Sequence, residues 1–583
     1  MDAILNISSQ KIRPPFFSYP HSHNNKDLGM AARQICMTLA VAATAKAISL
    51  SDICSNSKVN GSLPSLQGIE FTGVTSINTV LNASVESGIN YPGATGRDYC
   101  NVTITYHHAG KDDDINVWYY LPSPAQYKDR FLATGGGGFA INSGASLLQS
   151  GLVYDAASGC TDGGLGSFGN GLTDAPLKGN GSINYDAVYN FGYLSIHEMT
   201  VIGQGLVTNI YGTSSKLYSY YQGCSEGGRD GWSQVQRYGS QFDGASIGAP
   251  AFRQAFQQPQ HNWPQIFESM NGYVPTTCER QKIVNDTIAA CNELDGLSDG
   301  VVSRSDLCRL HHNASSSIGG KYSCAESSSM NPITGASGST SPAANGTVTA
   351  GAVAVYNAII EGPVHSHGRR IYTGYQPVAD VSSNGSGTYE NATGKYEAVA
   401  TGIGNKWINH LLNEVSTSTL SMDGITGHFA LGFSRAYRST VIAWKRHGRI
   451  WKTLGALEVR LFTGTVKQTT ASRRTLRLCT KSMSGRQCLA MTVTKHVTAL
   501  KKNVLGSVIE WVEKGIEPTT LNATFLFGDR EGQTEGLCSF PSRPMWKGND
   551  SMEPPQCVMP DDEALKTWFP KLNSIPLDVY DDA

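Results

Sequence analysis

The sequence predicts an α/β fold with a large insertion, and three features of the chain support that prediction. The length of 583 residues exceeds that of a single-core domain. A strand-like segment, Lys216–Tyr221, and a helix-like segment, Asp230–Tyr238, flank a glycine-rich turn. Further along, Ser327–Asn345 is rich in serine, glycine, proline and asparagine, which predicts an exposed loop within inserted sequence.

The glycine-rich turn, Gly223–Gly228, matches the pattern G-x-S-x-G with Ser225 at its centre. In that pattern the serine occupies a sharp strand-to-helix turn that exposes its hydroxyl group. Glycines two residues to either side let the flanking backbone pass close to the serine without Cβ clashes. The turn therefore predicts that Ser225 is a catalytic nucleophile. The alternative is an ordinary serine in a glycine-rich β-turn.

Cys224 lies directly before Ser225, and a cysteine at this position points to one particular family. The segment YYQGCSEGGRDGWSQVQRYGSQFDG resembles the nucleophile region of the fungal tannase and feruloyl esterase family, and the tannase branch is the nearer match. Other segments that resemble this branch are Ser51–Cys54, Tyr99–Thr103, Gly135–Phe139, Asn180–Ala187, Ile283–Cys308, Trp511–Thr524 and Leu537–Asn549. The resemblance spans most of Ser51–Cys557 with one long interruption. It implies an α/β-hydrolase body with a large inserted lid domain.

The same resemblance implies a function. A tannase-like serine esterase would hydrolyse gallate esters of hydrolysable tannins, which are small phenolic esters, through an acyl-enzyme on Ser225. One alternative is a feruloyl esterase that acts on hydroxycinnamate esters of plant cell walls. Another is an inactive homologue that binds phenolics or glycans. We expect neither a nucleic-acid partner nor a membrane partner, because no stretch is long and apolar enough to span a bilayer.

The segment Asp129–Leu132 leads into four successive glycines, Gly135–Gly138. This arrangement resembles the glycine turn whose backbone N–H groups stabilise a tetrahedral oxyanion. The predicted oxyanion hole consists of the amides of Gly136 and Gly137 together with that of Glu226, the residue after the nucleophile. The alternative is a flexible glycine loop.

The segment Cys291–Val301 resembles the calcium loop of the family. Ca²⁺ prefers six to eight oxygen ligands, which carboxylates and backbone carbonyls in a glycine-bent turn supply. By this match the ligands are the side chains of Asn292, Asp295 and Asp299 and the carbonyls of Leu297 and Val301. The family usually has aspartate where Asn292 stands, so we expect weaker binding of a structural Ca²⁺. The alternative is a solvated acidic turn stapled by a Cys278–Cys291 disulfide.

Thirteen cysteines without any C-x-x-C spacing favour disulfides over zinc. The resemblance implies the pairs Cys54–Cys100, Cys278–Cys291, Cys308–Cys324 and Cys538–Cys557. In the family, the cysteine beside the nucleophile bonds to a cysteine directly after the catalytic histidine. Cys160 has no counterpart, and we predict a buried free thiol there.

The N-terminal region predicts secretion. Residues 30–47 combine an arginine, an apolar stretch and an A-x-A site, as a signal peptide does. Residues 1–29 lack this character and lie upstream of Met30, so we interpret them as a spurious extension. About a dozen N-x-S/T sequons suit a glycosylated extracellular protein, among them those at Asn101, Asn180, Asn285, Asn345 and Asn522.

The formal net charge of −1 conceals a strongly basic segment. Sixteen lysines and arginines and a single acid, Glu458, lie between Leu431 and Lys502. A polyanion-binding patch is one interpretation. The segment shows neither lysine runs nor a recognisable RNA-binding module, which argues against it. The same region should contain the family's His-Gly-x-x-Asp turn and its Gly-x-x-His-Cys loop, and both are missing. We therefore interpret residues 425–502 as out of frame or built from wrongly joined exons.

The missing motifs leave Ser225 without an identifiable base or acid. No His-Cys pair occurs in the chain, and no aspartate lies between Asp423 and Asp529. His496 is nearest the expected position of the base but is followed by Val497, so it is a weak candidate, and Asp423 and Glu458 are poor candidates for the acid. The predicted organisation is an extension (1–29), a signal peptide (30–47), a first body segment (48–251), a lid with the calcium loop (252–424), an aberrant basic segment (425–502) and a C-terminal body segment (503–583).

Overall fold

A nine-stranded sheet dominates the computed structural model of the chain. The structure describes residues 48–564 except 89–90, 252–253, 331–336, 364–371, 380, 382–386, 399–401, 413–459, 467–489, 494–498, 501–502, 519–520, 526–531, 539–541, 549–552 and 554. The strands are β1 (Ile69–Val85), β2 (Ala94–His108), β3 (Ile115–Pro122), β4 (Arg130–Thr134), β5 (Ala157–Thr161), β6 (Tyr218–Cys224), β7 (Gly244–Gly248), β8 (Lys321–Cys324), β9 (Ser327–Met330), β10 (Ser337–Ser341), β11 (Ala344–Thr347), β12 (Thr388–Glu390), β13 (Lys395–Glu397), β14 (Arg460–Val466), β15 (Ala490–Val493), β16 (Ala499–Leu500), β17 (Leu521–Phe525), β18 (Thr534–Leu537), β19 (Arg543–Met545) and β20 (Gln556–Val558).

The helices alternate with the strands along much of the chain. They are α1 (Leu50–Ile53), α2 (Asn56–Asn60), α3 (Gly144–Val153), α4 (Tyr185–Tyr189), α5 (Ser195–Tyr211), α6 (Glu226–Tyr238), α7 (Gln254–Gln260), α8 (Trp263–Asn271), α9 (Thr277–Cys291), α10 (Ser305–His311), α11 (Ala350–Glu361), α12 (Gly402–Trp407) and α13 (Val504–Lys514). Short 3₁₀ and π-helical turns occur between them, for example Asn190–Leu194 before α5.

The central sheet has the strand order β1-β2-β3-β5-β4-β6-β7-β14-β15. Strands β1, β2 and β3 pair antiparallel, and β3 pairs antiparallel with β5. From β5 to β15 all neighbours are parallel. The parallel half is buried on both faces, as helix-covered parallel strands are: Phe131, Leu132 and Ala133 of β4 have no exposed surface. The sheet thus confirms the predicted α/β fold class.

The strand–turn–helix unit predicted around Ser225 is present. Strand β6 runs to Cys224, and α6 begins at Glu226, one residue after the serine. The helix therefore starts four residues before the predicted Asp230, because Ser225 itself occupies the N-cap position. Val235 of α6 and Tyr221 of β6 belong to the main hydrophobic core beneath this turn.

Helix α13 returns the C-terminal part of the chain to the body. Its buried residues Leu505, Val508 and Ile509 cluster with Leu132 and Tyr220 of the sheet. Its Glu513 accepts two hydrogen bonds from Arg130 of β4, Nε to Oε1 at 2.7 Å and Nη2 to Oε2 at 2.6 Å. A bidentate pair that is largely buried fixes orientation as well as adding energy.

Most of the predicted aberrant segment, residues 425–502, lies outside the described residues. Three strands within it are described: β14, β15 and β16. Strand β14 pairs parallel with β7, with Arg460 opposite Gly244, and β15 extends the sheet by one more strand. Main-chain pairing of this kind does not depend on particular side chains. The out-of-frame interpretation and the domain boundaries stay predictions.

The insertion after β7 has its own core, in which α8, α9 and α11 bury Ile283, Val353 and Ile359. Two disulfides staple it, Cys278–Cys324 and Cys291–Cys308. The predicted pairs Cys278–Cys291 and Cys308–Cys324 were therefore wrong. Cys278 and Cys291 lie near opposite ends of α9, and thirteen residues of helix span about 20 Å. A disulfide requires Cα atoms within about 7 Å of each other.

The other two predicted pairs and the predicted free thiol hold among the described residues. The pairs Cys54–Cys100 and Cys538–Cys557 are confirmed. Cys160 is a free, buried thiol as predicted, and burial raises its pKa.

The exposed loop predicted at Ser327–Asn345 is only partly a loop. Strands β9 and β10 form an antiparallel hairpin there, with Thr340 opposite Ser328, and β11 pairs with β8. Ser327 and Ser328 are exposed, as predicted. The composition indicated solvent exposure correctly, but backbone hydrogen bonding across the hairpin orders serine- and threonine-rich sequence that has little apolar content.

A histidine held between two carboxylates lies at the end of β2. His108 Nδ1 is 2.6 Å from Asp113 Oδ2, and its Nε2 is 2.9 Å from Glu198 Oε1 on α5. Burial of the ring alone would lower the pKa of His108. The hydrogen bonds and charges of Asp113 and Glu198 outweigh that effect, so the pKa is raised above its ordinary value.

We expect this site to stabilise the protein at acidic pH. Because the folded-state pKa is raised, the contribution is complete below the unfolded pKa of about 6.5 and is lost as pH rises through the folded pKa. Thermal unfolding of His108→Gln should show a lower Tm than the parent at pH 5.5, and the difference should shrink by pH 8.5. His107→Gln is the matched control, since the neighbouring His107 pairs only with exposed Glu70. A Tm difference that grows with pH would contradict the assignment.

Candidate active site

Ser225 lies on a strained turn between β6 and α6. Its backbone has φ 61° and ψ −115°, a conformation that non-glycine residues rarely adopt. Three backbone hydrogen bonds hold it there. The Ser225 N–H donates to Gly248 O at 3.0 Å, and Ser225 O accepts from Ala251 N–H at 3.0 Å and from Arg229 N–H at 3.1 Å. Gly248 is the last residue of β7 and Ala251 follows it closely, so the neighbouring parallel strand helps to fix the turn. Strain maintained by the surrounding structure is typical of a nucleophile elbow.

The glycines of the turn are required by close approach. A Cβ on Gly223 would lie 2.4 Å from the carbonyl oxygen of Gly227, and one on Gly227 would lie 2.8 Å from that of Gly136. Both distances are below any tolerable contact. The Gly227 N–H donates to Gly136 O at 2.9 Å, so the glycine run after β4 packs directly on the nucleophile turn. The glycine run Gly135–Gly138 and the nucleophile turn therefore lie side by side, as the predicted oxyanion hole requires.

The predicted oxyanion donors differ in availability. The Gly136 N–H donates to Asp230 Oδ2 at 3.3 Å, and the Gly137 N–H donates to Ala140 O at 3.0 Å. Both amides are therefore engaged within the protein in this structure, and their role as oxyanion donors stays a prediction. The Glu226 N–H has no acceptor within the part of the chain that the structure describes. Its amide directly follows the nucleophile, where an oxyanion donor is needed.

A buried ionic network that the sequence analysis missed lies under the turn. Arg229 donates through Nε to Glu226 Oε1 at 2.8 Å and through Nη2 to Asp230 Oδ1 at 2.5 Å. It also donates to the carbonyl oxygens of Phe191 and Gly192. All three charged side chains are at most 1% exposed. Burial raises the pKa of Asp230 and of Glu226, and the charge of Arg229 opposes that rise.

This network connects four segments around Ser225. Asp230 bonds the glycine run at Gly136, and Glu226 accepts from Gln254 Nε2 of α7 at 3.1 Å. Arg229 joins both acids and the Phe191–Gly192 turn. A guanidinium whose donors are satisfied by acids and carbonyls tolerates burial. The arrangement positions the residues around the nucleophile without touching the reacting atoms. The sequence did contain a signal for this network, because Glu226, Arg229 and Asp230 follow the serine within five residues.

The candidate base and acid for Ser225 lie outside the described residues. His496, Asp423 and Glu458 all lie outside them. Within the described part of the chain, the Ser225 hydroxyl makes no hydrogen bond to another side chain. Cys224 is a free thiol there, without the disulfide that the family resemblance implies. Burial raises its pKa, so it is held as a neutral thiol.

The predicted calcium loop forms a compact turn at the end of α9. Asp295 Oδ2 accepts Ser303 N–H at 2.8 Å, and its Oδ1 accepts Leu297 N–H at 3.1 Å. Asn292 Oδ1 accepts Gly300 N–H at 2.7 Å, and Asp299 Oδ1 accepts Val301 N–H at 2.9 Å. The five predicted ligand residues therefore belong to one structured loop.

The predicted ligands of this loop are all oxygen atoms, the ligand type that Ca²⁺ prefers. Asp295 is only 1% exposed, and no ion pair among the described residues involves it. Burial raises its pKa, and the nearby charge of Asp299 adds to the rise. Of the alternative, a solvated turn stapled by Cys278–Cys291, the disulfide is wrong because Cys278 pairs with Cys324 and Cys291 with Cys308. Asp295 is buried in this turn, whereas Glu293 and Ser298 are exposed. In the described residues no three or more His, Cys, Asp or Glu side chains form a metal cluster, and the predicted set contains only two carboxylates.

Comparison with known proteins places this geometry in a family. Residues 100–429 match the family model described as "Tannase and feruloyl esterase". A tannase from Aspergillus oryzae is 36% identical, covering 93% of this chain and 98% of that protein. A probable feruloyl esterase from Arthroderma benhamiae is 29% identical, covering 78% of this chain and 84% of the relative. The solved structure of a tannin acyl hydrolase from Aspergillus niger superposes with a TM-score of 0.79 at 36% identity, covering 91% of this chain and 99% of that one. The predicted α/β-hydrolase-type fold is confirmed.

Proposed function

Because the chain belongs to the tannase and feruloyl esterase family, a family of carboxylic ester hydrolases, we propose that it hydrolyses gallate esters through an acyl-enzyme on Ser225. The observation that supports this most is the strained turn that presents Ser225 between β6 and α6. The tannase similarity covers nearly the whole of both chains, which favours gallate over ferulate as the acyl group.

The chemistry assigned to these residues is acyl transfer. Ser225 Oγ attacks the ester carbonyl as a general base takes its proton, and the carbonyl oxygen becomes an oxyanion next to the Glu226 N–H. Collapse of the tetrahedral intermediate releases the alcohol, which takes up the proton. Water then attacks the acyl-enzyme in the same way and releases the free acid. The Arg229 network holds the Glu226 amide and the glycine run in place throughout.

The choice of acyl group is tested by direct competition. Methyl gallate and methyl ferulate should be supplied to the same preparation, and kcat/KM measured for each. The gallate ester should be preferred at least about tenfold. The reverse preference would support a feruloyl esterase. A preparation that binds but hydrolyses neither ester, even after the reading frame of residues 425–502 is restored, would support the inactive homologue, for which the free thiol of Cys224 is the structural argument.

We propose that the protein is secreted and glycosylated. Four disulfides are present in the described residues, and no helix there is long and apolar enough to cross a membrane. Disulfides of this kind persist in oxidising compartments. The sequons at Asn180, Asn285, Asn345 and Asn522 are on exposed residues, whereas Asn101 is half-buried and accepts a hydrogen bond from Trp118.

Mature extracellular protein should begin near Ile48 and carry N-linked glycans, because cleavage is expected after the A-x-A site. N-terminal sequencing and glycopeptide mass spectrometry measure both. We expect glycans at Asn180 and Asn345 in preference to Asn101, which serves as the internal control. Recovery of peptides from residues 1–29 in secreted material would rule out the proposed start.

We further propose one structural Ca²⁺ in the Asn292–Val301 loop. Asp295→Ala and Asp299→Ala should each lower Tm by several degrees while kcat changes less than about threefold, since no hydrogen bond among the described residues links the side chains of Asn292, Asp295 and Asp299 to the nucleophile turn. EDTA should lower the Tm of the parent and have little effect on the variants. Glu293→Ala is the matched control, an acid in the same loop outside the ligand set. Protein purified without chelator that contains no calcium by elemental analysis would contradict the site.

A further inference from the structure

The buried network under the nucleophile turn contains two acids and one base. Glu226, Arg229 and Asp230 are each at most 1% exposed. In the described part of the chain, Arg229 is the only base that either acid pairs with. If both acids were ionised, the network would hold one uncompensated negative charge away from water. A buried charge of that kind is strongly disfavoured, so one of the two acids takes up a proton instead.

The hydrogen bonds identify the acid that takes up the proton. Glu226 Oε1 accepts from Arg229 twice, from Nε at 2.8 Å and from Nη2, and Glu226 Oε2 accepts from Gln254 Nε2 at 3.1 Å. Asp230 Oδ1 accepts from Arg229 once, at 2.5 Å, and Asp230 Oδ2 has only a long bond of 3.3 Å from the Gly136 N–H. Because donated hydrogen bonds stabilise a carboxylate, Glu226 is the ionised acid and Asp230 the protonated one.

The other groups around Asp230 agree with this assignment. Its titratable neighbours are Arg229 and Glu226 on α6 and Tyr221 on β6. Burial raises the pKa of Asp230 well above its ordinary value; the charge of Arg229 opposes that rise, and the charge of Glu226 adds to it. Burial also raises the pKa of Tyr221, so this phenol is neutral and brings no further charge to the network.

The charge on Asp230 bears on the oxyanion. Asp230 Oδ2 holds the amide of Gly136, which is one of the predicted oxyanion donors. An ionised carboxylate at this place would oppose the negative charge that develops on the substrate and would hold the Gly136 N–H in a charge-assisted bond. A neutral carboxyl does neither. Resting on the proposed function, we propose that Asp230 carries a proton and, as a neutral positioning residue, leaves the Gly136 amide available to the oxyanion.

Thermal unfolding tests the proton on Asp230 without reference to catalysis. The unfolded chain, with an aspartate pKa of about 3.9, loses this proton at a pH where the folded protein keeps it. The contribution of Asp230 to stability is therefore complete below the unfolded pKa and is lost as pH rises through the folded pKa. Full-length Asp230→Asn has the same shape and cannot ionise. Its Tm minus that of the parent should rise by about 2 °C or more from pH 4.5 to pH 7.5.

The opposite results are equally clear. A Tm difference that stays flat or falls with pH would mean that Asp230 is ionised, and an Asp230→Asn chain that does not fold would mean the same. Asp306→Asn is the matched control, because Asp306 is a similarly buried aspartate that forms an ion pair with Arg304, Nη2 to Oδ2 at 3.0 Å. It should lower Tm at both pH values, since it leaves the guanidinium of Arg304 without that carboxylate.

The positioning role is measured separately, with methyl gallate and the version of the chain that hydrolyses it. Asp230→Ala should lower kcat at least about tenfold and change KM less than about twofold, because a misplaced oxyanion donor affects the transition state rather than substrate binding. Asp230→Asn should restore most of kcat, since its amide oxygen accepts the Gly136 N–H as a neutral carboxyl does. An Asn variant as slow as the Ala variant would overturn the positioning role. If no version cleaves methyl gallate, the esterase function fails, while the pH trend of Tm still decides whether Asp230 carries the proton.

Discussion

Replacement of Ser225 by alanine is expected to reduce gallate ester hydrolysis by about 10⁴–10⁶-fold in any active preparation, because no acyl-enzyme can form without the nucleophile. Ser215→Ala, an exposed serine in the loop before β6, is the control and should retain full activity. A serine-directed phosphonate should inactivate the parent and label Ser225, as located by peptide mass spectrometry. A label on another residue, or activity that survives in Ser225→Ala, would contradict the assignment of Ser225 as the nucleophile.

The strained backbone provides a second and independent outcome at the same position. Ser225 has φ 61°, which costs a non-glycine residue roughly 1–3 kcal/mol and costs glycine little. Ser225→Gly should therefore have a higher Tm than Ser225→Ala, although both lack activity. A nucleophile elbow stores this strain to expose its hydroxyl, and an ordinary β-turn serine would show no such difference. Equal Tm values would favour the ordinary turn.

The nucleophile region could be predicted from sequence because its determinants are local. Gly223, Ser225 and Gly227 lie within five residues, and the flanking strand and helix signal themselves by composition and spacing. The Arg229 network could not be predicted, since its partners come from segments as distant as Gly136 and Phe191. Whether a charged side chain on a helix faces solvent or the core is settled by tertiary packing alone.

The disulfide correction shows a different limit. The family resemblance implied the pair Cys278–Cys291, but both residues belong to one helix and lie too far apart along it. A helix assigned to Thr277–Cys291 from the sequence would have placed the two cysteines too far apart for a disulfide. The glycine run was placed correctly beside the nucleophile, yet the direction of each amide depends on Ala140 and Asp230, which only the fold brings there. The family and the α/β-hydrolase-type fold are confirmed, whereas the roles of individual site residues stay predictions.

The second large effect concerns residues 425–502. Expressed as printed, the chain should be nearly inactive, because it contains no His-Cys pair and no aspartate between Asp423 and Asp529. Ser225 then lacks the base and acid on which its nucleophilicity depends. A version of the gene whose reading frame or exon boundaries restore an aspartate-bearing turn and a His-Cys before Trp511 should gain at least about 10³-fold in gallate ester hydrolysis.

Stability should change together with activity, and for a separate reason. Cys224 is a free thiol in the described structure, whereas a restored His-Cys would give it a disulfide partner. Loss of a native disulfide typically costs about 2–5 kcal/mol, a large share of a net stability of about 5–15 kcal/mol. Denaturant unfolding of the two versions should differ by this amount, and thiol titration should find one fewer free thiol at Cys224 in the corrected chain.

The strands β14 and β15 make this comparison informative. They show that the segment as printed can complete the sheet beside β7 through backbone pairing, so a folded product is not by itself evidence for the printed sequence. Catalysis is the stricter criterion, because it needs particular side chains within about 3 Å of Ser225 Oγ. Both versions should be expressed and assayed with methyl gallate under the same conditions. Full activity from the printed chain would mean that a base exists in it which lacks the family's His-Cys signature, and His496→Ala in that chain would then identify or eliminate the nearest candidate.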